Sequence, residues 1–227
     1  MAMHLERAIA KLKKHLLVLS AKVEETVRDA VKSIESRDSE LAQRVIDADG
    51  EIDQSEVDIE EECLKLLALY QPVAIDLRVI ITVLKVNDAL ESIGDEAVNI
   101  SERSLYLSSQ KAVGVYLDFP GMAQKAQTML AQSLDAFVER DSQLARRVCI
   151  ADDEVDDINR DIYEKVKRGI LENPQEVDTY IHQLGVSRNL ERIADLAVNI
   201  AEDVVYLVEG EIIRHKTKEF AQEERDA

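Results

Sequence analysis

The sequence has few of the residues that break helices or build a large aromatic core. Its 227 residues include only 7 glycines, 3 prolines and no tryptophan. A β-sandwich or an α/β fold needs more turn-forming residues, whereas the abundant Ala, Leu, Val, Glu, Lys and Arg are typical of helices. With 46% hydrophobic residues, the chain can still bury a substantial core. The composition therefore predicts an all-α protein.

Basic residues are also scarce: 28 Lys and Arg stand against 46 Asp and Glu, for a formal net charge of -18. An acidic surface repels phosphate groups, so we expect no nucleic acid and no anionic bilayer as a direct partner. Basic partners or cations are favoured instead. The sequence has no run of about 18 apolar residues and no signal-peptide block at its start, which predicts no direct membrane insertion. We expect a soluble, cytoplasmic protein that can still contact a membrane protein.

Cysteine is nearly absent. Cys63 and Cys149 occur in apolar helical stretches without C-x-x-C or zinc-site spacing. This pattern predicts two reduced thiols buried in the core.

The main positive feature is an internal repeat. Residues 86–107 and 186–207 share 12 of 22 positions at an offset of 100, and residues 37–53 and 140–156 share 11 of 17 at an offset of 103. A period near 100 residues is too long for a solenoid, whose units have about 20 to 50 residues. The repeat therefore predicts a duplicated small domain.

Apolar spacing and capping residues predict three helices in each half. In the first half, one helix ends near Ser36, the second runs from an N-cap at Asp38 to about Leu69, and the third has Pro72 in its first turn and ends near Ser108. In the second half, Asp141 is the matching N-cap, and the helices are predicted over 119–138, 142–171 and 176–214. The predicted architecture is two tandem three-helix bundles, 1–110 and 117–215, followed by a charged tail, 216–227.

Acidic side chains recur with the apolar ones. On a helical wheel, Glu91, Asp95 and Asn99 lie within an arc of about 80°, away from the apolar stripe. The second half repeats these residues as Glu191, Asp195 and Asn199. The second helix of each half adds a flanking pair that can turn toward the third helix; these pairs are Asp49 with Asp53, and Asp152 with Asp156.

Two interpretations of these acids are open. Like charges four residues apart on a helix usually form a solvated face, although they slightly destabilise it. Recurrence at matched positions favours a function, since a solvated face would accept any polar residue. Hard oxygen ligands on two adjacent helices suit iron, manganese, magnesium or calcium, and a cation would offset the repulsion. The sequence therefore predicts a metal site in each half, with the two asparagines as extra oxygen donors.

Other helical site types fit less well. A ferritin-like di-iron oxidase needs inward Glu-x-x-His pairs, and none of the four histidines has a Glu three residues before it. A phosphotransfer bundle needs one exposed histidine; His15 and His182 could serve, but neither recurs in the other half. The sequence has no phosphate-binding glycine loop or nucleophile elbow. We therefore expect no enzymatic activity.

Three segments carry a resemblance to a known family. LESIGDEAVNISE at 90–102 and NLERIADLAVNIAEDVVYLVEG at 189–210 resemble the duplicated signature of the PhoU family of bacterial phosphate-signalling regulators, and QPVAIDLR at 71–78 is similar to its motif at the third helix. The resemblance covers essentially the whole chain. Where the family often has His after its Gly-Asp pair, this chain has Glu96 and Leu196, and Ala194 replaces the usual Gly. The resemblance therefore gives those two His positions no metal role.

The resemblance implies a cytoplasmic protein of two three-helix bundles that forms a homodimer and binds metal at its acidic pairs. The metal would be iron clusters or other divalent cations such as manganese, magnesium or zinc. It also implies a non-enzymatic negative regulator of phosphate uptake that couples the phosphate ABC transporter to the sensor histidine kinase of the phosphate-starvation response. Two alternatives remain: a metal-dependent phosphohydrolase, and a helical oligomerisation module without metal.

Overall fold

The computed structural model describes residues 2–112 and 114–213, which form long α-helices joined by short segments and confirm the all-α prediction. None of the helices in these ranges is long and apolar enough to cross a membrane. The predicted tail, 216–227, lies outside the described residues. In chain order the helices are α1 (Ala2–Ser36), α2 (Ser39–Ala48), α3 (Gly50–Tyr70), α4 (Ala74–Ser109), α5 (Phe119–Glu139), α6 (Ser142–Glu172), a short 3-10 helix (Pro174–Glu176) and α7 (Val177–Glu209).

The two predicted N-caps are confirmed and are built alike. Oδ1 of Asp38 accepts hydrogen bonds from the amides of Glu40 and Leu41, at 3.0 and 2.9 Å. Oδ1 of Asp141 accepts from the amides two and three residues ahead of it, both at 2.9 Å. Each cap satisfies two backbone donors that have no partner within the helix. The α1–α2 and α5–α6 turns are therefore structural copies.

Three helix boundaries differ from the prediction. The predicted second helix is divided into α2 and α3 at Asp49, although Asp49 keeps helical dihedrals. The amide of Asp49 donates to the carbonyl of Ile46 at 3.4 Å, which is the i to i−3 pattern of a 3-10 turn. Pro72 precedes α4 and is not in its first turn, because the chain reverses through left-handed Gln71 and extended Val73 before the helix begins. Helix α7 ends at Glu209, and not near 214, because Gly210 adopts a left-handed φ of 77° that stops it.

The halves share one hydrophobic core. Helices α1 to α4 pack together, α5 to α7 pack together, and α4 lies against α7 while α1 contacts α5. Lys85 on α4 pairs with Asp203 on α7, and Tyr106 stacks on His182 with ring centroids 3.8 Å apart. Because the numbers fall along α7 as they rise along α4, the two helices are antiparallel. The bundles are thus joined side by side along their third helices.

Candidate functional site

The first acidic site consists of Asp49, Asp53, Glu91 and Asp95. Asp49 lies at the α2–α3 junction, Asp53 in the first turn of α3, and the other two midway along α4. Helix α4 passes close to the junction, because an ideal Cβ on Gly94 would lie 3.8 Å from Oδ1 of Asp49. Burial raises the pKa of Asp49, and repulsion from Asp53 and Asp95 raises it further. Burial, then Asp95, raises the pKa of Glu91. The four acids therefore form one electrostatic group.

The second acidic site consists of Asp152 and Asp156 on α6 and Glu191 and Asp195 on α7. Burial raises the pKa of Asp152 to about 7, and carboxylates from both helices add to it, led by Asp195 and then Asp156. Burial also raises the pKa of Glu191 and of Asp195. At the two sites the structure brings together the acids that the repeat predicted to lie near one another.

One carboxylate oxygen at each site is buried without a partner. Oδ1 of Asp49 and Oδ1 of Asp152 have no hydrogen-bond partner within the described part of the chain. A buried carboxylate oxygen without a donor or cation costs folding free energy. The two residues occupy matched positions of the repeat, so the same unsatisfied oxygen occurs in both halves. A bound cation would give each of these two oxygens a partner.

The donor chemistry fits a hard cation. All four residues of each site supply carboxylate oxygens, which suit magnesium, manganese, calcium and iron. In the ranges that the structure covers, no group of three or more His, Cys, Asp or Glu side chains already surrounds a metal position. A cation would therefore require these side chains to close around it.

The two predicted asparagine donors have other surroundings. Asn99 donates to Oε2 of Glu96 at 3.5 Å. Asn199 is exposed and lines a cleft of about 420 Å³ between α4 and α7, with Lys85 and Asp88 on the opposite helix. Neither relationship includes the four carboxylates of the same half. A metal role for these asparagines stays a prediction.

The structure also places two histidines and both cysteines, none of which belongs to the predicted acidic sites. Nδ1 of His15 pairs with Oε2 of Glu62 at 2.9 Å. Nδ1 of His182 is buried, and burial lowers the pKa of this imidazole. Cys63 and Cys149 are free, buried thiols, which confirms the prediction. Burial raises the pKa of each thiol to about 12.

Sequence reasoning missed the groups that distinguish the two sites. Asp153 adds repulsion at Asp152, and Arg188 and Arg192 oppose the negative charge at Glu191. At an offset of 100 the first half has Asp88 and Ser92 in place of these arginines. Aligning the repeats for differences, as well as for identities, would have found this reversal of charge.

Together these features define a class of protein: an all-α chain made of two copies of a three-helix bundle, with a matching acidic site on the surface of each copy. A family model described as the PhoU domain matches residues 16–104 and again residues 119–204. The chain belongs to the PhoU family.

Individual relatives agree with this assignment. The chain is 36% identical over 214 residues to the phosphate-specific transport system accessory protein PhoU homolog of Aquifex aeolicus, covering 94% of this chain and 97% of that protein. It is 30% identical over 207 residues to the PhoU accessory protein of Escherichia coli K12, covering 91% and 86%. The names of these relatives describe a transport accessory protein and not an enzyme.

Solved structures support the fold. The crystal structure of PhoU from Pseudomonas aeruginosa matches with a TM-score of 0.88 at 36% identity, covering 91% of this chain and 99% of that one. The phosphate transport system regulatory protein PhoU from Streptococcus pneumoniae matches with a TM-score of 0.83 at 29% identity, covering 92% and 98%. Both the sequence and the fold therefore agree over nearly the full length of the relatives.

Proposed function

We propose that this protein is a non-enzymatic regulator of phosphate transport that binds cations at its two acidic sites and acts by contact with partner proteins. Its relatives are phosphate-specific transport accessory proteins, which supports the regulatory role. The observation that carries the cation-binding part is a buried carboxylate oxygen at the same repeat position in both halves, on Asp49 and Asp152, which has no partner among the described residues.

Asp49, Asp53, Glu91 and Asp95 would hold the cation of the first site, and Asp152, Asp156, Glu191 and Asp195 that of the second. A bound cation would supply positive charge that offsets the repulsion among these carboxylates. The protein's own part is to hold two acids on the third helix against two acids on a neighbouring helix. Binding would therefore tie α3 to α4 and α6 to α7, and would stabilise each bundle.

The proposed partners are the phosphate ABC transporter and the sensor histidine kinase of the phosphate regulon, with a homodimer as the oligomeric state. When phosphate is plentiful, the protein would hold the kinase in its repressing state and restrain uptake from a peripheral, cytoplasmic position at the inner membrane. The acidic surface suits basic cytoplasmic loops on such partners, because opposite charge speeds and orients association.

Metal analysis tests the cation-binding part. Protein purified without chelator should contain metal, and Glu91→Ala with Asp95→Ala should remove the share bound by the first half while the second half keeps its own. Metal-free protein, or a metal content that this double variant leaves unchanged, would sink this part of the proposal. An exposed pair at the same spacing, Gln54→Ala with Asp58→Ala on α3, provides the matched control.

Gene deletion tests the regulatory part. Loss of the gene should derepress phosphate-starvation genes in phosphate-rich medium, and expression unchanged from wild type would contradict the proposal. A pull-down from native membranes tests the two partners directly. Hydrolysis of phosphate esters by metal-loaded protein would instead favour the phosphohydrolase. A protein that forms oligomers but binds no metal would favour the oligomerisation module.

A further inference from the structure

The two acidic sites share their four carboxylates but differ in the charged groups around them. Position 88 is Asp in the first half, and its counterpart 188 is Arg; position 92 is Ser, and its counterpart 192 is Arg. These positions precede and follow the glutamate of each site on the same helix. The duplication has therefore kept the acids while reversing the charge beside them.

The residues at these positions interact differently with the carboxylates of the two sites. In the second site, Nη1 of Arg192 lies 3.9 Å from Oδ2 of Asp195, and Arg188 and Arg192 both oppose the negative charge of Glu191. In the first site, Ser92 donates a hydrogen bond to Oε2 of Glu91 at 3.3 Å. Asp88 adds repulsion at Glu91. At the matching position the second site has Arg188, whose positive charge attracts Glu191.

An arginine beside a carboxylate weakens cation binding through its charge. Nη1 of Arg192 is too far from Oδ2 of Asp195 for a hydrogen bond, at 3.9 Å, but its positive charge repels an incoming cation. The carboxylate of Asp88 attracts that cation at the first site. The second site also has an added acid, Asp153, where the first half has Gly50. Each site therefore has one extra carboxylate, and the two arginines are the charges that distinguish the second site from the first.

We infer that the two sites are unequal, and that the first site binds a divalent cation more tightly than the second because Arg188 and Arg192 partly neutralise the second site. This inference rests on the proposed cation-binding function. For exposed charges a few ångströms apart, the Coulomb energy corresponds to roughly a fivefold change in affinity per arginine, and the difference shrinks as salt rises.

Mn²⁺ binding to the full-length protein separates the two sites. Free Mn²⁺ can be followed by electron paramagnetic resonance in a protein whose other site is disabled by isosteric substitutions. Glu191→Gln with Asp195→Asn leaves the first site, and Glu91→Gln with Asp95→Asn leaves the second. The first site alone should bind Mn²⁺ at least about fivefold more tightly than the second site alone.

Exchanging residues between the repeats assigns the difference to the arginine. With only the second site intact, Arg192→Ser should tighten Mn²⁺ binding several-fold; with only the first intact, Ser92→Arg should weaken it by a similar factor. Arg168→Ser, at an exposed arginine about three turns beyond Asp156 on α6, should change neither value. Circular dichroism of each variant checks that the helices remain folded.

The outcomes distinguish this inference from the proposed function. Equal affinities at the two sites, or affinities that neither exchange alters, would overturn the inference while leaving cation binding in place. No Mn²⁺ binding at either site of the unmodified protein would overturn the cation-binding proposal and the inference with it. Tighter binding at the second site would also overturn the inference.

Discussion

Arg103 on α4 donates a hydrogen bond from Nε to Oδ1 of Asn189 on α7 over 2.9 Å. Asn189 in turn donates to Oε2 of Glu96 at 2.5 Å. Gly185 makes room for the guanidinium, since a Cβ there would clash with Cζ of Arg103. The counterpart of Asn189 in the first half is Ala89, so this bridge between the bundles exists on only one side of the duplication.

Asn189→Ala should destabilise the protein by about 1 to 3 kcal/mol, because Arg103 and Glu96 would lose their shared partner at a half-buried position. Urea unfolding followed by circular dichroism measures this change. Gln43→Ala is the control, since this exposed amide donates to Asp47 one turn further along the same helix. Its effect should stay within about 0.5 kcal/mol. Equal effects of the two substitutions would show that the bridge contributes nothing to stability.

A methyl group added at Gly169 should be destabilising by about 1 to 3 kcal/mol, because its Cβ would lie 2.5 Å from the ring of the fully buried Tyr180. Gly50 is the matched case, since nothing lies within 4 Å of a Cβ placed there. Gly50→Ala should leave stability unchanged or raise it by up to about 1 kcal/mol, because alanine favours the helix. The midpoint of thermal unfolding should therefore fall for Gly169→Ala and should not fall for Gly50→Ala. A loss of stability at Gly50 would contradict this account.

The pH dependence of stability should reveal Asp152. Its folded pKa of about 7 lies above the unfolded value of about 4, so the folded state binds a proton more tightly. Protonation of Asp152 therefore adds to the free energy of unfolding at low pH, and this contribution is lost as the pH rises from about 4 to about 7. Asp152→Asn should therefore raise the stability of chelator-treated protein at pH 8. We expect a gain of about 1 to 2 kcal/mol, because solvent screens part of the repulsion.

Urea unfolding at pH 5 and pH 8 measures the effect of Asp152→Asn. As the pH rises from 5 to 8, the free energy of unfolding should fall more for the wild type than for the variant. A parallel change in both proteins would contradict the assignment of the raised pKa to this carboxyl group. Added Mn²⁺ should reduce the difference at pH 8 if the proposed cation site forms, because the cation binds the ionised carboxylate.

The two thiols should react slowly in the folded state. Cys63 and Cys149 are buried and have thiol pKa values raised to about 12, so little reactive thiolate is present at pH 8. Ellman's reagent should titrate both only after urea unfolds the protein. Rapid reaction of either thiol in native buffer would contradict its burial.

Local patterns were enough to predict most of the fold. Asp38 and Asp141 mark helix starts because an N-cap depends on a few adjacent residues. The apolar stripe of each third helix can be recognised from spacing alone, because a helix places every third or fourth residue on one face. The break at Asp49 and the turn at Gln71 were not predicted, because backbone geometry at a junction depends on how the flanking helices pack.

The sequence by itself determined that the chain is helical and duplicated, and which acids recur, because helical period and repeat identity are properties of the chain. Only the tertiary structure decided that α4 packs antiparallel against α7 and that Arg103 crosses to Asn189. It also decided that one oxygen of Asp49 and of Asp152 is buried with no partner in residues 2–112 and 114–213. These features depend on distances between residues far apart in the sequence. Such distances arise from packing the whole core, and no local pattern encodes them.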